Sequence, residues 1–353
     1  MRGYRIDVSK ADLADNRPVE AEFAARDGEV VAQVEHAALT ANNVTYAVHS
    51  GPPLHYGRFF PAADDGHITV PVWGFGRIVE SRAPGVAVGD RFYGYWPSGS
   101  HVVLRPGKVG ASGFSDLSAH REGLAPVYNA YVAAAIAAPT AEAEAAVALF
   151  RPLFGTAHVL DDFLGRMPAA PTVILTSASC KTALGTAWGL QQRRTVKVIG
   201  LTSARNRDFV MRTGYYDTVL VYDDVHQLDA DAECVLVDFS GNGALKLALH
   251  GRLKGLVASH IVGDTHWSEP QPDSLPGPTP ALFFAPAVWQ ARALEIGAAT
   301  FEAQLQAAST RFLASAEQWL RVEHVQGAGG WQAEFARLLD GRSDPSCGVV
   351  VHF

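Results

Sequence analysis

Residues 172–201 read TVILTSASCKTALGTAWGLQQRRTVKVIGL. An apolar run at 172–176 is followed by small hydroxyl residues, a helix-forming stretch at 183–192, and a second apolar run at 196–201. Continuous runs rich in valine, isoleucine and leucine suit strands buried on both faces of a parallel sheet, and the helix between them is the crossover such strands need. The rhythm continues downstream: 206–213 reads as helix, 218–222 as strand, and 234–239 (CVLVDF) and 255–263 (GLVASHIVG) as further strands. Strand alternating with helix predicts a right-handed, doubly wound parallel sheet.

Upstream the period is two. Residues 30–39 (VVAQVEHAAL) and 76–82 (GRIVESR) alternate, and 91–95 and 101–104 are short β-branched or aromatic runs. Glycine recurs from Gly74 to Gly113, and turns this dense between short strands predict a barrel-like β domain. From about residue 124 the chain becomes alanine-rich, so 131–150 reads as helix apart from Pro139, with Glu142 and Glu144 early in its 141–149 stretch, as a helix N-terminus prefers. Five prolines at 268–280 predict a loop; 301–321 and 331–339 predict helices, and 347–353 a last strand.

The 353 residues, 48% apolar and 18% charged, exceed one average domain and bury a sizeable core. Twenty-nine basic against 36 acidic residues leave a net charge of −7, without the basic surplus that nucleic acid or an anionic membrane surface requires. The uncharged stretch 123–140 is mostly alanine with two prolines, a poor membrane-spanning composition. Three scattered cysteines are too few for a disulfide framework, and the charged start lacks a signal-type apolar region. A cytoplasmic protein is expected.

A β-rich first third, a doubly wound middle and a tail of helices and one strand resemble the medium-chain dehydrogenase/reductase superfamily. The most specific match is 85–94 (GVAVGDRFYG), similar to that family's G-V-x-x-x-x-G-D-R-V-x-G segment. Residues 31–46, 71–79, 200–217 and 237–241 resemble further family segments. The resemblance implies a GroES-like β-barrel domain from 1–125 and 290–353, a Rossmann-type domain from 126–289, a cleft between them, and an uncharacterised branch near quinone oxidoreductases and enoyl reductases. It is compatible with a homodimer. The zinc branches need ligands this chain lacks: Trp73 stands about where a ligand-linked Glu belongs, no cysteine precedes Cys180, and His260 and His266 lack i, i+4 spacing. A zinc-independent enzyme is expected.

In a dinucleotide fold the G-x-G-x-x-G loop lets backbone amides approach the pyrophosphate at a helix N-terminus. Here 176–185 reads TSASCKTALG, without those glycines. Ser177, Ser179 and Thr182 as donors and Lys181 as a point charge form a side-chain substitute; a plain Ser/Thr-capped helix without ligand is the bland alternative. A P-loop would need glycine where Leu175 and Cys180 stand, and a nucleophile elbow around Ser179 where Ser177 and Lys181 stand. After the second strand, 201–207 (LTSARNR) carries two arginines and no acid, so Ser203 with Arg205 or Arg207 is expected to read the 2′-phosphate of NADP. Gly241 and Gly263 complete the cofactor-binding set.

The resemblance implies hydride transfer to an enone, enoyl, quinone or carbonyl small molecule, with a proton donor near the developing charge. Thr40-Ala41-Asn42-Asn43 replaces the family's N-P-x-D turn, which makes Asn43, Tyr46 and Tyr56 the candidate catalytic residues. Tyr93, Tyr95, Trp96, Tyr128, Tyr131 and Trp267 suggest an apolar pocket or, equally, core. The alternative function is a binding protein or non-redox enzyme that uses the cleft for an acidic or phosphate-bearing ligand.

Overall fold

The computed structural model describes the chain except residues 139, 168, 169 and 264–270 and the side chain of Glu142. His266, Trp267 and the start of the expected proline-rich loop therefore lie outside the described residues. The chain forms two compact units, Met1–Arg151 with Arg321–Phe353, and Pro152–Leu320.

The first stretch holds β1 (Arg2–Ser9), β2 (Asn16–Glu22), β3 (Val30–Leu39), α1 (Ala41–Val48), β4 (His67–Thr69), β5 (Pro71–Ser81), β6 (Arg91–Pro97), β7 (His101–Leu104), β8 (Pro106–Gly110), β9 (Gly113–Asp116), β10 (Ala130–Ala133), α2 (Ala134–Ala137) and α3 (Ala141–Arg166). The second unit continues with β11 (Thr172–Leu175), α4 (Lys181–Arg193), β12 (Lys197–Thr202), α5 (Arg207–Thr213), β13 (Thr218–Val221), β14 (Cys234–Asp238), α6 (Gly243–Arg252), β15 (Leu256–Ile261), β16 (Ala281–Leu282), α7 (Ala285–Ile296) and α8 (Ala298–Ala316). The tail, β17 (Arg321–Gln326), α9 (Gly327–Leu339) and β18 (Cys347–His352), returns to the first unit.

The second unit is the expected doubly wound sheet, six strands in the order β13-β12-β11-β14-β15-β16, all pairs parallel. Val173, Ile174 and Leu175 are at most 3% exposed, as a central strand with helices on both faces requires. Strand order reverses between β11 and β14, so their carboxyl ends flank the crevice where ligands bind in such sheets.

The first unit is the GroES-like β domain: a nine-stranded sheet running β17-β18-β3-β5-β6-β10-β9-β8, with β7 also on β3, and a three-stranded sheet β2-β1-β4. The 85–94 segment owes its form to turn chemistry. Gly85 and Gly89 adopt φ of +78° and +97°, the left-handed region that favours glycine, and Asp90 Oδ2 accepts from the Ala87 amide at 2.8 Å. Arg91 then opens β6 and bonds both Glu35 and Glu144.

Three expectations are corrected. The units exchange at 151/152 and 320/321 rather than at 125/126 and 289/290, because α7 and α8 belong with the parallel sheet. Residues 131–133, expected as the start of a helix, belong to strand β10 (Ala130–Ala133), since the Tyr131 ring stacks on Phe114 and its hydroxyl donates to Tyr95 O at 2.6 Å; these tertiary contacts outweigh alanine's helix propensity. The expected helix 301–321 begins earlier, at Ala298, and ends at Ala316; Arg321–Gln326 pairs in parallel with β18 instead.

Candidate functional site

In the second unit the carboxyl ends of β11 and β14 are tied together by hydroxyls. Thr176 Oγ1 donates to Asp238 Oδ1 at 2.6 Å and accepts from the amides of Phe239 and Ser240 at 2.9 and 3.1 Å. Ser240 donates through its amide and hydroxyl to the same Oδ1, at 2.9 and 2.7 Å. The other carboxylate oxygen faces Lys246 Nζ at 3.4 Å, with both side chains almost wholly buried, and Nζ also donates to Gln271 Oε1 at 2.9 Å. Neither Lys246 nor Gln271 was expected from the sequence; the available signal was a lysine between Leu245 and Leu247 on a helix after the Asp238 turn.

The loop that replaces the glycine-rich motif keeps a glycine-like backbone. Ser177 has φ +47°, a left-handed conformation uncommon for a residue with a Cβ. The Ala178 amide donates to Leu201 O at 3.0 Å, and the Tyr216 hydroxyl donates to Ala178 O at 2.8 Å. Cys180 is the N-cap of α4: its Sγ accepts from the Ala183 amide at 3.3 Å, and burial pushes its thiol up to about 11. Lys181 and Thr182 open the helix. Ser177 and Ser179 are both buried, and their hydroxyls are engaged within the fold. Tyr222 bonds Ser177, which partly offsets the burial that pushes the Tyr222 phenol up to about 12, and Ser179 Oγ accepts from Asn206 Nδ2 at 3.0 Å.

The end of β12 is different. Thr202 Oγ1 and Ser203 Oγ are shielded from solvent and have no hydrogen-bond partner among the described residues, and the exposed Arg205 and Arg207 follow. Arg207 Nη1 lies 3.9 Å from the exposed Asp208, a pair of little energetic weight. Gly241 has φ +69°, and a Cβ at Gly263 would meet Phe239 O at 3.0 Å, so both backbones depend on glycine.

In the first unit Thr40 and Asn43 form a capping box at the start of α1. Asn43 Oδ1 accepts from the Thr40 amide at 2.7 Å and Nδ2 donates to Pro71 O at 2.8 Å, so the buried amide of Asn43 is directed at its own backbone. Tyr46, also buried, accepts at its hydroxyl from Asn42 Nδ2 at 2.6 Å and Trp73 Nε1 at 2.9 Å. Its ring lies 4.6 Å from that of Tyr56, whose hydroxyl shares a hydrogen bond of 3.2 Å with Tyr128. Tyr93 and Tyr95 join this cluster through Trp73, at ring separations of 5.7 and 4.9 Å, whereas Trp96 donates to Gly74 O and packs with Tyr131 outside it. Burial raises the pKa of every phenol in the cluster, so all stay protonated.

Among the described residues no group of three or more His, Cys, Asp or Glu side chains could hold a metal ion, and no helix is long and apolar enough to cross a membrane. The sequence matches the family described as "Protein of unknown function (DUF2855)" over residues 37–344. The chain belongs to that family. No curated protein matches it. This DUF2855 chain is similar in structure to CurA from Vibrio vulnificus in complex with NADPH, at 14% identity and TM-score 0.61, over 100% of this chain and 99% of that one. It is also similar to a thermostable alcohol dehydrogenase from Pyrobaculum aerophilum, at 13% identity and TM-score 0.61, over 100% of both chains. TarJ of S. aureus in complex with NADPH gives 9% identity and TM-score 0.60, over 100% of this chain and 99% of that one. At such identities the likeness shows the fold alone, a GroES-like β domain with a Rossmann-type parallel-sheet domain, which is the fold the sequence resemblance implied.

Proposed function

We propose that this chain is an NADP-dependent, zinc-independent oxidoreductase that reduces a small enone, enoyl, quinone or carbonyl compound. The observation that carries the reading is the end of β12. Two buried hydroxyls without partners among the described residues, Thr202 Oγ1 and Ser203 Oγ, stand beside two exposed arginines with no acid before Asp208, a donor set suited to a 2′-phosphate. The NADPH named for CurA and TarJ supports the same cofactor.

Ser203, Arg205 and Arg207 would hold the 2′-phosphate. The amide of Lys181, with the Lys181 charge, would receive the pyrophosphate at the start of α4, where the Thr182 and Ala183 amides already bond Cys180 Sγ. Gly241 and Gly263 would admit the cofactor's backbone approach. Ser177 and Ser179 serve the loop itself through Tyr222 and Asn206, so the phosphate cradle rests on backbone and lysine more than on those hydroxyls. When bound, NADPH supplies the hydride. Tyr46 is the proton donor of choice: both acceptor sites on its oxygen are taken by Trp73 and Asn42, so its own hydrogen is left to donate. Asn43 positions α1, and Tyr56 borders Tyr46. The engaged hydroxyls of Ser177 and Ser179 also favour the second reading, a non-redox protein binding a phosphate-bearing ligand other than a dinucleotide.

Titrating NADPH and NADH by thermal shift separates the two. NADPH at 100 Kd should stabilise by about 2.7 kcal/mol. Replacing Arg205 and Arg207 together by Ala should weaken NADPH by about 1.5–3 kcal/mol per lost charge-assisted bond while sparing NADH. No shift with either cofactor defeats the oxidoreductase reading.

A further inference from the structure

A pyrophosphate at a helix N-terminus is held by backbone amides that have no other acceptor. In the loop at 176–183 most of those amides are already committed. The Ser177 amide bonds the phenol of Tyr222, the Ala178 amide donates to Leu201 O at 3.0 Å, and the Cys180 amide donates to Ser177 O at 2.8 Å. The amides of Thr182 and Ala183 both bond Cys180 Sγ, the latter at 3.3 Å. An acceptor lies along the N–H it bonds, so this sulfur stands where a phosphate oxygen would sit on the first turn of α4. Burial pushes the thiol up to about 11 and keeps it neutral. Cys180 thus takes the place of an anion without supplying its charge.

The loop has little room to turn these amides elsewhere. Tyr216 donates to Ala178 O at 2.8 Å, and Asn206 Nδ2 donates to Ser179 Oγ at 3.0 Å. The Tyr216 ring and Ala178 also close over Gly200, where a Cβ would meet them at 2.7 and 2.9 Å. The end of β12 is the reverse. Thr202 Oγ1 and Ser203 Oγ are shielded from solvent with no hydrogen-bond partner among the described residues, and the exposed Arg205 and Arg207 follow. Buried polar groups are ordinarily satisfied, so unmet hydroxyls collect at the ribose end of a bound nucleotide and met amides at its pyrophosphate end.

We infer that Cys180 and Tyr222 are specificity-determining residues: by occupying the loop's amides they confine strong recognition to an adenosine 2′-phosphate, and a 5′-phosphate is left chiefly to the charge of Lys181. The inference rests on the reading of Ser203, Arg205 and Arg207 as a 2′-phosphate site, and adds which part of the ligand carries the affinity.

The test compares 2′-AMP, 5′-AMP, NADPH and NADH by calorimetry on the full-length chain. Wild type should bind 2′-AMP within about tenfold of NADPH, and should bind 5′-AMP and NADH about a hundredfold or more weakly than NADPH, because only the 2′-phosphate finds charge-assisted bonds waiting. Cys180→Gly keeps a residue tolerated at an N-cap and releases the amides of Thr182 and Ala183. It should strengthen 5′-AMP and NADH about tenfold and leave 2′-AMP unchanged, whereas a general loosening of the fold would weaken every ligand together. Tyr222→Phe, which releases the Ser177 amide, should act in the same direction and more weakly. Wild type that binds NADPH yet holds 5′-AMP as tightly as 2′-AMP overturns the inference and leaves the cofactor reading standing. Folded Cys180→Gly and Tyr222→Phe proteins with unchanged NADH affinity do the same. Wild type that binds neither NADPH nor 2′-AMP overturns both.

Discussion

The loop at 176–182 and the tyrosine cluster around Tyr46 are opposite solutions to burying polar groups. In the loop nearly every hydroxyl has found a partner within the fold: Thr176 serves Asp238, Ser179 serves Asn206, and Ser177 meets Tyr222. In the cluster the hydroxyls of Tyr93 and Tyr95 have none among the described residues. A fully partnered region gains rigidity and leaves its charges to meet a ligand, whereas an unsatisfied one holds its side chains ready at a cost in stability. Substitutions should therefore behave differently in the two places.

The largest effect is expected beneath the loop. Lys246→Met removes the cation facing Asp238 and leaves a buried carboxylate compensated only by Thr176 and Ser240; denaturant unfolding should show a loss of about 3–5 kcal/mol. A loss under about 1 kcal/mol would mean that the hydroxyls alone carry Asp238, and that the loop is more self-sufficient than the ion pair suggests. At the loop's rim, Lys181→Met should weaken NADPH by about 1.5–3 kcal/mol with little change in Tm, because it deletes a charge at a helix start and keeps most of the stem. Unaltered affinity would show that the amides of α4 hold the phosphate alone. In the cluster, Tyr46→Phe strands the Trp73 and Asn42 donors and should destabilise by about 1–3 kcal/mol, opposite in sign to Tyr95→Phe, which strands nothing. The same sign for both would erase the distinction between a partnered and an unpartnered phenol.

Legibility followed the range of the interaction. The runs TVIL and KVIGL announced β11 and β12 because a strand covered on both faces must be apolar throughout. The absence of acid in 201–207 was equally plain, and the unpartnered Ser203 hydroxyl lies there. By sequence Asn43 is a candidate catalytic residue because it stands where the family has an acid; its bond to Pro71 O, 28 residues away, gives it a fixed structural task that no local pattern discloses. The role of Lys246 is not legible in the sequence because a helical lysine is ordinarily solvated, and only the packing of α6 against the end of β14 buries it.

The sequence by itself determined the two fold types, the parallel middle, the turn chemistry of Gly85 to Asp90 and the hydroxyl-rich replacement of the glycine loop. Each follows from burial period or from residues with special backbone freedom, which act over a few positions along the chain. The tertiary structure decided that Ser177 takes the left-handed conformation without being glycine, that β10 forms from an alanine-rich stretch, and which of the tyrosines keep a hydrogen to give. Those outcomes depend on Tyr222, Phe114 and Trp73, brought close from distant parts of the chain, and hydrogen-bond partnership between distant side chains has no signature in local periodicity.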